Sequence, residues 1–551
     1  MINDAETRRV PWPHLAANFI LFAFLVGTSL AQVSISEFVA QSHKKKKRER
    51  PSPSELSDLG GVNLRQKKTE ARPDMVVSIA NFHHGFGDVF FAQERFRKDP
   101  PYPDPLSDLR LPTIESATLS NGLRLSVLRK QGEPVMNLLL IISAGESVSP
   151  DNAPGIATFT ANMLNRGAEG LPFSKIIESI ESMGGSFTAE TFPDYSVFSF
   201  AFLEDHLEEA LEILGRMILH PTFQRVEMDN VIRTMYFDLI DKSKSPEVVG
   251  ERVLYNILFK DHPYRKIAFN ETVRRNLDRR GLVDFFEKYY CPNNAEIVLI
   301  GNITLRIAAR KVSRYLNTWE TKDIEPNSLP LPEPNQKVKI CLVDLPDEKD
   351  AMVYMGNTVL LQNSKDYFPL TVLNQVIGGS PHSRLFMNLR ESKGFAYYAF
   401  SSIELFRTCA LLTITERVRT EVISESIRES LRELEKVSTT AIPNHELEQA
   451  KSYLIGRFPL EIEDSSNFLK KLSKLKAFNQ GDDHWMQYYK NLMLINAESV
   501  YEIAANASLN TPVIVIMGPV QTLSEQLSDY DLDVYDSNGE HQYTIKKGVL
   551  Q

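Results

Sequence analysis

The sequence predicts an α+β protein made of two homologous halves, each a mostly antiparallel sheet packed with helices. Three observations support this class. Strand-like and helix-like patterns follow one another in a similar order in both parts of the chain. Each part closes on a short apolar strand that ends in glycine, IVLIG at 297 and IVIMG at 514, 217 residues apart. A stretch with four prolines, 320–336, joins the parts, and two like units joined in this way tend to face each other across a cavity.

The first half is assigned to residues 112–319. Asn121-Gly122 between two apolar runs is a hairpin signal. MNLLLIISAG, SVFSFAF and AEIVLIG are predicted as strands. Helical periodicity marks the segments 155–166, 173–183, 207–219, 224–245 and 247–259.

The second half, residues 337–525, repeats this plan. Its predicted strands are VKICLVDL, AMVYMGNTVL, TCALLTITERV and PVIVIMG. FPLTVLNQVIGG reads as a helix followed by glycines, and VISESIRESLRELEKV as a long amphipathic helix. Residues 320–336 are the linker, and 526–551 are assigned to a tail.

Residues 1–31 are predicted to be a secretory signal peptide. Arg8 and Arg9 precede the apolar run LAANFILFAFLVG, and SLA at 29–31 supplies the small residues of a cleavage site. The run is shorter than the roughly 20 residues of a membrane span. We therefore expect an exported protein in a bacterial periplasm. A eukaryotic secretory route and an uncleaved inner-membrane anchor are the alternatives.

Residues 32–110 form a polar extension that we expect to be partly disordered. It contains KKKKRER at 44–50 and the proline-rich stretches PSPS and DPPYPDP. One interpretation of residues 44–50 is a weak contact with anionic lipid heads or a partner, and the other is a solvated segment.

The charge balance argues against a nucleic-acid partner. The chain has a net charge of −9, and its positive charge is concentrated in residues 1–75, which carry 12 Lys and Arg against 8 Asp and Glu. The remainder is more acidic than the whole, whereas nucleic-acid binding depends on neutralising phosphates. The three cysteines are far apart and match no metal-binding spacing, so we expect buried small apolar residues and at most one disulfide.

Residues 155–167 carry the most informative motif, GIATFTANMLNRG. Thr158, Ala161 and Asn162 lie at i, i+3 and i+4, so they share one face of the predicted helix. The segment resembles the pitrilysin or insulinase-type zinc peptidases, whose active members read G-x-A-H-F-x-E-H-M-x-x-x-G. In that family the two histidines bind zinc and the glutamate activates water.

The resemblance implies a dismantled zinc site in this chain. Thr158, Ala161 and Asn162 stand where the family has His, Glu and His. Threonine and asparagine are poor zinc ligands, and alanine cannot take a proton from water. The position of the family's third ligand aligns with Asp238, which is either a remaining carboxylate of that site or a solvated helix residue. We therefore expect no metal in this chain.

The second half keeps a family signature that the first half has lost. SRLFMNLRESKGFAYY at 383–398 is similar to S-R-L-x-x-x-L-R-E-x-x-G-L-A-Y. In the family, its Arg and Tyr reach towards the zinc centre of the opposing half, contact substrate carbonyl groups and stabilise the oxyanion. The resemblance gives those roles to Arg390 and Tyr397. An Arg–Glu surface pair and a core tyrosine are the alternative.

The family also binds extended peptides along an edge strand of the first half, by β-augmentation. Its usual N-A-x-T appears here as Thr188, Ala189, Glu190 and Thr191, with the asparagine replaced. These four residues are therefore the predicted substrate-binding strand, and an ordinary exposed strand is the alternative.

Three functional hypotheses follow from the sequence. The first is a non-catalytic subunit of an exported two-chain peptidase, in which a partner of the same family supplies H-x-x-E-H and zinc to hydrolyse peptides or unfolded proteins. The second is a peptide-binding or scaffold protein with no associated hydrolase. The third is an independent metallopeptidase with atypical ligands.

Overall fold

The computed structural model describes residues 113–547, except 243–244, 268–276, 326–327, 362–363 and 538. The predicted signal peptide, the polar extension and the basic run lie outside the described residues. All described residues belong to one compact unit, Pro103–Gln551. In this part of the chain no helix is both long enough and apolar enough to cross a membrane.

The first half begins with a hairpin, as the sequence predicts. It does not close on the apolar strand at 295–301, because a further helix, Leu305–Leu316, follows that strand and packs in the same core. Its strands are β1 (Ile114–Thr118), β2 (Arg124–Arg129), β3 (Val135–Ile142), β4 (Gly167–Ala168), β5 (Leu171–Pro172), β6 (Ser186–Thr191), β7 (Ser196–Leu203) and β8 (Ala295–Gly301). Its helices are α1 (Ile156–Met163), α2 (Phe173–Ser182), α3 (Leu207–Leu219), α4 (Arg225–Lys242), α5 (Pro246–Phe259), α6 (Arg279–Tyr289) and α7 (Leu305–Leu316).

The second half has a similar succession of elements. Its strands are β9 (Lys339–Asp344), β10 (Asp350–Val359), β11 (Ala396–Leu405), β12 (Ala410–Arg419), β13 (Val513–Gly518), β14 (Leu532–Tyr535) and β15 (His541–Ile545). Its helices are α8 (Tyr367–Ile377), α9 (Ile423–Thr439), α10 (Asn444–Glu463), α11 (Ser465–Ala477), α12 (His484–Leu494), α13 (Ala497–Asn506) and α14 (Val520–Gln526), with a π-helix at Phe386–Ser392.

The two sheets confirm the internal repeat. The first sheet has the strand order β1-β2-β8-β3-β7-β6 and the second β15-β14-β9-β13-β10-β12-β11. The run β2-β8-β3-β7-β6 of the first sheet corresponds to the run β9-β13-β10-β12-β11 of the second. In each run the first two strands pair in parallel and every other neighbouring pair is antiparallel. The repeated IVLIG and IVIMG are the equivalent strands β8 and β13. β14 and β15 place part of the predicted tail, residues 526–551, inside the second sheet.

Each sheet is buried on both faces, because one helix of each half packs on the sheet of the other half. One face of each sheet packs on helices of its own half. The other face of the second sheet is covered by α5 of the first half, and the other face of the first sheet by α11 of the second half. Burial on two faces explains why β8 and β13 are apolar at nearly every position instead of alternating.

Gly250 shows how closely α5 approaches the second sheet. A Cβ atom at Gly250 would lie 2.6 Å from Cε of Met517 and 2.7 Å from the ring of Tyr354. Only a residue without a side chain allows this approach without repacking.

Buried polar contacts also join the halves. Asp194, in the β6–β7 turn, accepts hydrogen bonds from the Tyr264 hydroxyl at 2.9 Å and from the backbone N–H of Arg407, in the β11–β12 turn, at 2.8 Å. Nε2 of His262 donates to the carbonyl of Pro330 in the linker at 2.8 Å. Between the halves lies a cavity of about 460 Å³. The three cysteines are buried and free, as expected from the sequence.

The core of the second half contains a titratable carboxyl group. Glu416 on β12 is 0% exposed, and hydroxyl groups of Ser430 and Ser426 on α9 donate to it at 2.6 and 3.4 Å. Burial raises the pKa of Glu416 from 4.5 to about 7, although the two serine hydroxyls act in the opposite direction.

We expect this carboxyl group to make the protein less stable as the pH rises. The folded state keeps the Glu416 proton up to pH about 7 and the unfolded state loses it near 4.5, so the folded state binds more protons in between. Glu416→Gln cannot titrate and keeps a hydrogen-bond acceptor. As the pH rises from about 5 to about 8, the parent protein should lose about 2.5 kcal/mol of unfolding free energy relative to the variant. Urea unfolding of both proteins measures this, and a difference independent of pH would contradict it.

Candidate functional site

The helix that aligns with the family's zinc motif is α1. It begins after Gly155, whose φ of 90° is readily adopted only by glycine. α1 packs on β6, β7 and α6 with Ile156, Phe159 and Met163 in the core. Thr158, Ala161 and Asn162 share one face, as predicted. Ala161 is buried and the other two are partly exposed.

A buried carboxylate occupies the start of this helix. Glu146 is 5% exposed. One of its oxygens accepts from both the backbone N–H of Thr158, at 2.8 Å, and the Thr158 hydroxyl. The other accepts from the backbone N–H of Gly155 at 3.0 Å and from the Ser149 hydroxyl at 2.8 Å. The negative charge therefore satisfies free N–H groups at the positive end of the helix.

Thr158 is thus a structural residue in this protein. Its hydroxyl and its backbone both anchor Glu146, so the position of the family's first zinc ligand now belongs to a helix cap. The sequence analysis did not identify Glu146. Its link to Thr158 depends on how the intervening loop folds back, and no local spacing signals it.

Thr158→Val should destabilise the protein by about 2 kcal/mol, because it removes one donor to a buried carboxylate and keeps the shape of the side chain. Asn162→Ala is the matched control. Asn162 lies on the same helix face and its side chain makes no hydrogen bond among the described residues, so its replacement should cost no more than about 0.5 kcal/mol. Thermal unfolding compares the two variants, and equal effects would show that the Glu146 contact contributes nothing.

The remaining positions of the zinc motif do not provide a ligand set. Ala161 has no donor atom, and Asp238 is exposed on α4, a neighbour of α1. Among the described residues no group of three or more His, Cys, Asp or Glu side chains could hold a metal ion. Zinc requires thiolate, imidazole or carboxylate ligands, so the residues at this site do not fit the metal of the family.

The second-half signature folds into the π-helix and the start of β11. Arg390 is half-exposed: its guanidinium lies 4.9 Å from the ring centre of Phe386, and its Nε lies 3.7 Å from a carboxylate oxygen of Glu391. Arg390 and Glu391 therefore form the Arg–Glu surface pair considered as an alternative in the sequence analysis. The guanidinium makes no hydrogen bond among the described residues, so its N–H donors are available to a ligand.

Tyr397 is 56% exposed and lies where the pairing of β11 with β12 shifts by one residue. Such a bulge turns a side chain out of the ladder. The core tyrosine considered as an alternative in the sequence analysis is therefore wrong, because this phenol faces outwards. Arg390 and Tyr397 lie on the second half, whereas Thr158 and its partner Glu146 lie on the first, and no contact among the described residues joins the two groups.

The predicted substrate-binding strand is β6, at one edge of the first sheet. Thr188 and Glu190 are exposed, whereas Ala189 and Thr191 are partly buried. On its inner side β6 pairs with β7 in antiparallel register. The strand therefore has the geometry that β-augmentation requires, and peptide binding there stays a prediction.

Comparison with known families identifies the family to which this fold belongs. Residues 126–272 match the family described as insulinase, peptidase family M16, and residues 276–454 match the peptidase M16 inactive domain. Together the matches span more than half of the chain. The chain belongs to peptidase family M16.

M16 relatives share most of both halves with this chain. The uncharacterized zinc protease YmxG of Bacillus subtilis is 24% identical over 414 residues, which cover 74% of this chain and 98% of the relative. Non-peptidase homolog YmxG of Helicobacter pylori is 24% identical over 348 residues, which cover 61% and 78%. These similarities confirm the family resemblance found in the sequence.

Solved structures confirm the two-half M16 fold. The peptidase M16 inactive domain from Pseudomonas fluorescens matches with a TM-score of 0.68 at 21% identity, over 74% of this chain and 98% of that chain. A protease from Helicobacter pylori matches with a TM-score of 0.67 at 19% identity, over 74% and 100%.

Proposed function

We propose that this M16 chain is a non-catalytic subunit of a two-chain zinc peptidase. A partner of the same family would supply H-x-x-E-H, while this chain contributes Arg390 and Tyr397 and part of the substrate-binding surface. The asymmetry of the two motifs carries the proposal: Thr158 is used to cap a helix, whereas Arg390 and Tyr397 are exposed with donors available.

The chemistry of these two side chains suits that role. The partner's zinc would activate the attacking water. Arg390 and Tyr397 would donate hydrogen bonds to the oxygen that becomes negative as a peptide carbonyl is attacked. Preorganised donors of this kind are each worth about 3 kcal/mol of transition-state stabilisation. The edge of β6 would hold an extended peptide or unfolded segment.

Export belongs to the same proposal. The signal-like residues 1–31 direct the chain to a bacterial periplasm, where it meets its partner and substrate. Determination of the amino terminus of the mature protein tests this. Cleavage after residue 31 supports export, and an intact Met1 in a cytosolic fraction contradicts it.

Isolation of the tagged full chain from the cells that make it tests the pairing. We expect an M16 chain with an intact H-x-x-E-H to co-purify, with about one zinc ion per pair and peptidase activity that chelators abolish. The separated chain should hold less than about one-tenth of an equivalent of zinc. Stoichiometric zinc with chelator-sensitive proteolysis in the separated chain would show a metallopeptidase with atypical ligands and contradict the proposal.

A peptide-binding or scaffold protein is the second candidate. It is favoured by the position of β6 at the edge of its sheet and by the name of the Helicobacter pylori relative, a non-peptidase homolog. It predicts that the same isolation recovers peptides or other proteins without any zinc peptidase.

A further inference from the structure

The cavity between the halves has walls from three elements. They are the β6–β7 turn with Phe192 and Tyr195, the end of β11 with Glu404, and α11 with Lys470 and Lys474. A second cavity of about 310 Å³ shares Lys470 and Lys474 with the first. Each cavity is near the lower end of the size range of small-molecule sites, and their shared lysines make them neighbours.

The lysines of this cavity differ from the others on the same helix. Lys471 pairs with Glu461 at 2.9 Å, and Lys476 pairs with Asp482 at 2.6 Å. The side-chain amines of Lys470 and Lys474, at i and i+4, make no hydrogen bond or ion pair among the described residues. Lys470 is exposed and Lys474 is half-buried. Burial lowers the pKa of Lys474, although the carboxylates of Glu404 and Asp194 act in the opposite direction. A half-buried amine without a hydrogen-bond partner is costly, which points to an anionic group of a ligand.

The walls of the first cavity that face the two lysines carry carboxylates and aromatic rings. Glu190 on β6 and Glu404 on β11 bring carboxylates to the cavity. Phe192 stacks on Tyr195 with ring centres 4.7 Å apart, and the Phe478 ring meets Tyr195 edge-on at 6.1 Å. A ligand therefore meets ammonium groups, carboxylates and an apolar surface within one space.

We propose that this cavity binds a small zwitterion with an apolar or aromatic side chain, such as a free amino acid or a dipeptide. Its carboxylate would contact Lys470 and Lys474, its ammonium group Glu190 or Glu404, and its side chain the aromatic rings. Glu404 already accepts a hydrogen bond from the Tyr255 hydroxyl, whereas the Glu190 side chain has no hydrogen bond or ion pair among the described residues. A simple anion fits less well, because it would leave the Glu190 carboxylate without a partner. The site lies within one chain and requires neither the peptidase partner nor Arg390.

Calorimetric titration of the purified full chain with the dipeptide Leu-Phe tests the proposal. N-acetyl-Leu-Phe and Leu-Phe amide each lack one charge and should bind at least about tenfold more weakly. Lys474→Gln should weaken Leu-Phe binding at least about tenfold, whereas Lys471→Gln on the same helix should change it less than about twofold.

Three results would overturn the proposal. The first is the absence of any heat of binding with Leu-Phe up to about 10 mM, since a weaker affinity would not be specific. The second is equal binding of Leu-Phe and the two blocked peptides. The third is an equal effect of Lys474→Gln and Lys471→Gln on Leu-Phe binding. Far-ultraviolet circular dichroism and thermal unfolding of each variant separate a lost contact from a lost fold. Because no partner chain is present, failure here leaves the proposed subunit role standing.

Discussion

Replacement of Lys476 by methionine should destabilise the protein by about 3 kcal/mol. Lys476 lies on α11, the second-half helix that covers the first sheet, and is 4% exposed. Its ammonium group donates to the Ser126 hydroxyl at 2.7 Å and to Asp482 at 2.6 Å, and it lies 3.3 Å from a carboxylate oxygen of Glu296. Glu296, on β8, is also 4% exposed, so the variant leaves a buried carboxylate with fewer donors.

Two features set the size of this effect. Arg124 lies 3.2 Å from the other Glu296 oxygen and still compensates part of its charge, which places the cost at the lower end of the range for broken buried ion pairs. Methionine keeps most of the volume of the lysine stem, so little of the loss comes from packing.

Lys471→Met is the matched control. Lys471 lies on the same helix and pairs with Glu461, but its side chain is 40% exposed. Its replacement should cost less than about 1 kcal/mol. Urea unfolding at neutral pH compares both variants with the parent protein. Equal effects would show that the buried network does not hold α11 on the first sheet.

The sequence predicted much of the fold because the relevant signals are local. Apolar runs, helical periods and the Asn121-Gly122 turn depend on neighbouring residues, and the repeated IVLIG and IVIMG revealed the duplication. The exchange of α5 and α11 was not predicted. A helical period shows that one face is buried but not which sheet covers it, and the role of Gly250 depends on that contact. Nor does the pattern of residues 532–535 reveal that they pair with β9, or that of residues 541–545 that they pair with β14.

Part of the candidate site was predicted from the sequence, and part was not. The motif frame located Thr158, Ala161 and Asn162 on one face, because a helix fixes the relation of residues three and four apart. Glu146 was missed because it reaches Thr158 through a loop. The exposure of Tyr397 depends on a bulge, which arises from how β11 pairs with β12 and has no signature in the residues FAYY.

The second large effect concerns catalysis by the assembled pair. Arg390→Ala should lower kcat/KM for peptide hydrolysis by about 10²–10³, because a preformed cationic donor to the oxyanion is lost. Tyr397→Phe should lower it by a similar factor, since only the phenol hydroxyl is removed. Both side chains are about half-exposed, so neither change should affect folding by more than about 0.5 kcal/mol.

Arg428→Ala provides the control for a general loss of positive charge. Arg428 is a 60% exposed arginine on α9 of the same half, and among the described residues its guanidinium pairs with Ser424 and Glu425 of its own helix. Its replacement should leave kcat/KM within about twofold of the parent pair.

The central claim is that Arg390 and Tyr397 of this chain donate hydrogen bonds to the oxyanion formed at the zinc site of a partner chain. The most direct measurement is kcat/KM of the purified pair with Arg390→Ala, together with the dissociation constant of the two subunits and the zinc content of the pair. We predict a loss of at least about a hundredfold in kcat/KM, mainly in kcat, with subunit affinity and zinc unchanged. Full activity of that pair would contradict the claim.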